Sequence, residues 1–201
     1  MQKSKGKEAK GRKESVMKYQ AVAVALLVAL LASGVTGCAR PAADDATPGG
    51  FEIAVSSASI GAAGELPIEV AADKGPNDPP GDNQSPQLSW DAVDGAAYYA
   101  VCMFDEDANW LHWLVLDLEK TELAQGEYTA HSNYVGPYPP KNSGRHHYRI
   151  EVFALHEAPD HVALRIDAKQ AYSEIVRSLD QSGNGEQNTI ARGHIIGHYE
   201  N

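Results

Sequence analysis

Two cysteines in 201 residues are too few for a disulfide framework. Cys38 lies just behind an apolar run, and Cys102 sits inside the apolar stretch Ala100-Val101-Cys102-Met103-Phe104. A buried, structural thiol is expected at Cys102. With Cys38 consumed by acylation, no intramolecular disulfide can form. No CxxC pair and no Cys/His spacing marks structural zinc. A Gly-rich phosphate loop is also missing, which removes the Rossmann and P-loop classes. No G-x-S-x-G elbow is present, and no Ser or Cys stands out as an activated nucleophile beside the histidines. No internal repeat is visible.

Positive charge is scarce once the N-terminus is set aside. Of 17 Lys/Arg and 27 Asp/Glu, seven and two fall in residues 1–37. The rest of the chain keeps 10 basic and 25 acidic residues, a formal charge of −15. Such a surface repels nucleic acid and argues against a basic membrane patch.

Residues 1–18 are rich in Lys and Arg, 21–32 are apolar, and small residues follow. That order is a secretory signal, too short for a comfortable transmembrane helix. Val35-Thr36-Gly37-Cys38 resembles a bacterial lipobox, in which the Cys is lipidated and becomes the first mature residue. The expected organisation is a lipoprotein signal over 1–37, a flexible tether over 38–50 and one domain over 51–201. Met17 is a second candidate start. The expected location is outside the cell, lipid-anchored to the bacterial envelope.

From residue 51 onward, short β-type runs alternate with Gly/Pro/Asn/Asp punctuation. The periodicity predicts strands at 51–56, 87–90, 98–104, 111–118 and 147–155. Residues 73–86 form a long polar loop with four prolines, a length often found at functional sites. Helix is expected late. Ala168, Ala171, Tyr172, Ile175, Val176 and Leu179 follow helical spacing, with Asp167 as N-cap and Gln170 at N3. A second short helix or turn is expected over 190–196. Strands first and helices last suit a mostly-β, α+β domain.

The richest stretch runs from Asn133 to Leu155, NYVGPYPPKNSGRHHYRIEVFAL. Prolines 137, 139 and 140 stiffen a loop that enters an alternating strand. Tyr148, Ile150, Val152 and Ala154 share one face, and period two adds His146 to it; His147 faces the other way. Asp105-Glu106-Asp107 follows an earlier strand, and Trp110-x-His112 opens the next. Each cluster alone has a bland reading: acids in a turn are ordinarily solvated, and a lone His is ordinarily packed. Their shared position at strand ends makes them candidates for one site.

NQSPQLSW (83–90), FDEDAN (104–109), WLHWLVLDL (110–118), the 133–155 stretch and ARGHIIGHY (191–199) resemble the phosphatidylethanolamine-binding protein family, also called the Raf kinase inhibitor protein-like family, in its bacterial branch. The resemblance covers 51–199. It implies an antiparallel β-sandwich with C-terminal helices and a small anion pocket at one end of the sheet. Carried over residue by residue, the pocket falls on Asp105, Asp107, Trp110, His112, Gly136, Tyr138, Pro140, His146, Tyr148 and Tyr199. Glu106 and Asn109 stand where the family carries Pro, so a third carboxylate is expected at the pocket. Tyr138 replaces a residue that is usually small and is expected to narrow it.

The function so implied is a lipid-anchored binding protein for a small anion or phospho-headgroup, modulating a protein partner such as a kinase or protease. It is expected to be no enzyme, to need no cofactor and to hold no metal. Whether it has a protein partner or forms a homodimer stays open. Two alternatives use the same residues. One is a hydrolase with His112 or His146 beside Asp105, and the other is a metal site of His112, His146 and Asp105.

Overall fold

Short strands with alternating faces build two sheets, as period-two patterning dictates. In the computed structural model, which describes residues 51–127, 133–160, 162–184 and 187–201, the strands are β1 (Phe51–Glu52), β2 (Val55–Ser56), β3 (Leu88–Trp90), β4 (Tyr98–Asp105), β5 (Trp110–Leu118), β6 (Glu122–Leu123), β7 (Asn133–Tyr134), β8 (His146–Leu155), β9 (Ala168–Lys169) and β10 (Thr189–Tyr199). The signal, Cys38 and tether expectations lie outside these residues.

The larger sheet has the order β1-β10-β8-β4-β5-β7, with β9 also on β5. The smaller is β2-β3-β6. Pairing is antiparallel except between β1 and β10. The predicted strand at 51–56 is two strands, one in each sheet. Ile53 N–H donates to Arg192 O at 2.9 Å, after which Val55 crosses to pair with Trp90.

The central strands are buried on both faces. Tyr99, Val101, Met103, Tyr148, Ile150 and Val152 face the smaller sheet, where they meet Leu88, Trp90 and Leu123. Ala100, Cys102, Phe104, Phe153 and Leu155 face the opposite way, onto the helix. Cys102 is fully buried, and desolvation pushes its thiol pKa well up. It is an inert filler, as its apolar run implies.

Two helical expectations are corrected. α1 spans Tyr172–Asp180 and begins at Ala171, with no side-chain cap. Asp167 has φ +56°, outside helical space, and its carboxylate is engaged elsewhere. The apolar stripe holds from Tyr172 onward, with Ile175 and Leu179 fully buried against the larger sheet, whereas Ala168 lies on β9. Residues 190–196 are not helical. They belong to β10, paired with β8 from Thr189 to Tyr199. Ile190, Ile195 and Ile196 are β-branched and suit a pleated surface. Gly193 lets the chain of β1 approach: a Cβ there would lie 1.9 Å from Ile53 O. So a single described helix precedes the last strand, in place of helices at the end. Among the described residues no helix is long and apolar enough to cross a membrane.

The 73–86 loop braces the proline loop. Buried Asn77 donates from Nδ2 to Ala72 O and Pro137 O, each at 2.9 Å. Asn83 Oδ1 accepts from Gly136 N–H at 2.8 Å. A Cβ at Gly136 would lie 2.2 Å from Val70 O, so only Gly fits against the backbone of residues 70–72.

Candidate functional site

Antiparallel pairing gathers residues that are far apart in the chain. Asp105 ends β4, Trp110 opens β5 and Tyr148 stands near the start of β8. Register places Asp105 opposite both Trp110 and Tyr148. A cavity of about 620 Å³ opens at this end of the larger sheet. Asp105, Asp107, Trp110, His112, Tyr138, Pro140, His146 and Tyr148 all line it. Gly136 and Tyr199 do not. Gly136 is packed behind the proline loop. Tyr199 pairs with His146 on β10 and packs on the main core.

Asp105 is the hub, with only 2% of its surface exposed. Its Oδ1 accepts the N–H groups of Asp107 (2.9 Å) and Ala108 (2.8 Å). Its Oδ2 lies 2.7 Å from His146 Nδ1. The remaining ring nitrogen, Nε2, is 3.2 Å from Ser143 Oγ. Ser143 Oγ also donates to Pro140 O at 2.7 Å.

His112 is held differently. Its Nδ1 donates to Val135 O at 2.8 Å, which leaves Nε2 for the cavity. Burial disfavours the imidazolium and lowers the His112 pKa, against the opposing pull of Val135 O and Asp105. Tyr148 and Tyr138 stand edge-on to the ring, with centroids 5.3 and 5.7 Å away. The Tyr148 hydroxyl lies fully buried beside Asp105 and has no hydrogen-bond partner among the described residues. Desolvation and that carboxylate push its pKa far up, so it stays a neutral donor.

Of the two departures at the motif, Glu106 acts otherwise than expected and Tyr138 lines the cavity. Glu106 does not line the cavity; its carboxylate pairs with Arg149 Nε at 2.7 Å. Tyr138 forms part of the cavity wall. Its hydroxyl donates to Asp167, as does Trp110 Nε1 at 3.2 Å, while Lys74 Nζ reaches the other oxygen at 2.7 Å. Partial burial opposes the Asp167 charge, but these donors outweigh it and lower its pKa. Sequence reasoning missed Asp167 because its position before an amphipathic run reads as an N-cap. It also missed Ser143, although Ser143-Gly144-x-His146 brings Ser within reach of His across a tight turn. Lys141 and Lys169 line the cavity too.

His147 faces away from His146, and its backbone N–H (2.7 Å) and Nδ1 (3.0 Å) both meet Asp107 Oδ2. These donors outweigh desolvation and lower the Asp107 pKa. Asp107, Asp105 and His146 bring one ligand atom each within 4.8 Å of one another, so the residues nearest a metal geometry include Asp107 and not His112. All three already satisfy one another or His147, and a cation would have to displace those bonds.

The model of the phosphatidylethanolamine-binding protein family matches residues 56–200. A putative odorant-binding protein A5 of Drosophila melanogaster is 38% identical over 77 residues, covering 34% of this chain and 35% of the relative. A putative lipoprotein LppC of Mycobacterium tuberculosis is 30% identical over 125 residues, covering 55% and 60%. The chain thus spans between about a third and 60% of the length of these curated relatives. Among solved structures, Escherichia coli YbcL superposes with a TM-score of 0.57 at 23% identity, covering 75% of this chain and 99% of that one. CT736 of Chlamydia trachomatis gives 0.55 at 19% identity, covering 75% and 98%. Two antiparallel sheets, the strand-end cavity and the matched motifs agree: this chain belongs to the phosphatidylethanolamine-binding protein family.

Proposed function

We propose that the protein is a lipid-anchored binding protein whose strand-end cavity takes a small phosphate-type anion. The observation that carries the reading is the Tyr148 hydroxyl, buried and unpartnered, in the same wall as the free Nε2 of His112. A buried donor without a partner costs about 1–3 kcal/mol, and a bound oxygen would recover it. Lys141 and Lys169 supply positive charge at the wall. Rigid prolines at the rim keep the ordering cost of binding low. At neutral pH His112 presents a lone pair, so a phosphate that keeps one O–H, or a headgroup ammonium, suits that corner.

Titration calorimetry with phosphorylethanolamine tests the reading, with a His112→Ala/His146→Ala variant expected to lose binding at least tenfold. Equal affinity in both proteins would sink it. The anchor is supported by the lipobox at Cys38 and by a lipoprotein among the relatives. The −15 charge of residues 38–201 speaks against nucleic acid as a partner. The role of a protein partner, kinase or protease, belongs to the same proposal and needs pull-down of a named enzyme to test it.

A further inference from the structure

Anion binding does not account for Ser143, which sits at the cavity rim beside two residues of the pocket. Ser143 Oγ lies 3.2 Å from His146 Nε2, and His146 Nδ1 lies 2.7 Å from Asp105 Oδ2. Two backbone N–H groups hold the other oxygen of Asp105, so that carboxylate cannot turn away. It keeps the proton on Nδ1 and directs the Nε2 lone pair at Ser143. These are the nucleophile-to-base and base-to-orienter contacts of acyl-transfer enzymes, on a sequence without their usual elbow. We propose that Ser143, His146 and Asp105 form a serine-hydrolase triad acting on carboxylic esters of modest size.

The surroundings fit this chemistry. Ser143 is exposed and bonded to Pro140, which lines the cavity together with His146 and Trp110. An acyl group can lie against Trp110 and the prolines with its carbonyl at the rim. The Ser143 hydroxyl now donates to Pro140 O and reaches Nε2 by turning its hydrogen. Gly144, the next residue, has φ +88°, and nothing lies within 4 Å of a Cβ placed on it. Its N–H makes no backbone hydrogen bond among the described residues and is the candidate oxyanion donor of the proposal.

In the step itself, Ser143 Oγ attacks the ester carbonyl and its proton passes to His146 Nε2. The tetrahedral intermediate collapses, the C–O bond to the alcohol breaks, and the leaving alkoxide takes that proton. Water then gives a proton to Nε2 and attacks the acyl-serine. The carboxylic acid leaves, and Ser143 regains its hydrogen. Asp105 touches no reacting atom and is a positioning residue.

A fluorophosphonate probe tests the triad, because it phosphonylates an activated Ser Oγ with loss of fluoride. Mass mapping is expected to place the adduct on Ser143, with turnover of p-nitrophenyl butyrate by the same protein. Ser143→Ala, at an exposed site, should remove both. Asp105→Asn should slow labelling by on the order of 10⁴-fold. Nitrogen NMR of His146 in that variant should show loss of the Nδ1–H tautomer, which a merely structural Asp105 would not produce in the folded chain. Absence of an adduct on Ser143 beyond that of the urea-unfolded chain overturns the proposal, as does full ester turnover by Ser143→Ala.

Discussion

Tyr148 separates stability from binding at a single atom. Its hydroxyl is buried beside Asp105 without a hydrogen bond of good geometry, so the carboxylate offsets only part of its desolvation cost in the folded state. Tyr148→Phe is expected to stabilise the protein by about 1 kcal/mol while weakening phosphate-type ligands severalfold. Thermal melts and calorimetry check the pair; a lower melting temperature would mean the hydroxyl is satisfied in the native state. His112 sets a second expectation. Its folded pKa lies below the unfolded value near 6.5, so the unfolded chain binds the proton first. Stability should therefore fall as pH drops below about 6.5, until His112 itself protonates in the folded state. Asp107 and Asp167 have lowered pKa values, so their contribution is present above about pH 4 and lost as pH falls through the folded values. Melting temperature against pH should slope downward on the acid side, and a flat profile between about pH 7 and pH 5 would contradict the His112 assignment. Ligand affinity should move the opposite way, rising as His112 gains its second donor.

At the scale of elements, the helix and the last strand carry distinct risks. Ile175 is fully buried between α1 and the larger sheet. Ile175→Asp would strand a charge in apolar surroundings, and a loss of several kcal/mol is expected in denaturant melts. Gly193→Ala would drive a methyl into Ile53 O. The expected result is detachment of β1, read as lost exchange protection at the Ile53 amide together with a lower melting temperature. Protection unchanged from the parent chain would show that the strands can part without cost. The helix stripe was legible because 3.6-residue spacing depends only on which face is buried. Its start was not, because Asp167 competes for donors that arrive from Lys74, Tyr138 and Trp110, all distant in the chain. The 190–196 segment misled for a similar reason. A short apolar run fits helix or strand alike, and only a neighbour such as β8 decides between them.

The charge of the whole molecule frames its setting. With −15 on residues 38–201, adhesion to anionic membranes by charge alone is disfavoured, so attachment would rest on the lipid. Cys38→Ala expressed in a bacterial host is expected to leave the membrane fraction, or to stay there only as full-length precursor. Mature-size protein still on the membrane would refute the anchor.

Local pattern alone determined which strands alternate, which helix face is apolar and that Cys102 is buried, and it made the motifs at four strand ends candidates for one site. Those properties depend on periodicity and on residue type, and both are written along the chain. Tertiary structure decided the rest: that Glu106 turns to Arg149, that Asp167 anchors Tyr138 and Trp110, that Tyr148 keeps an unpaired hydroxyl, and that Ser143 meets His146. Each of these is a hydrogen bond, made or missing, with a direction in space. A sequence states which donors and acceptors exist; strand register and the turns between strands decide which of them come within about 3 Å of each other.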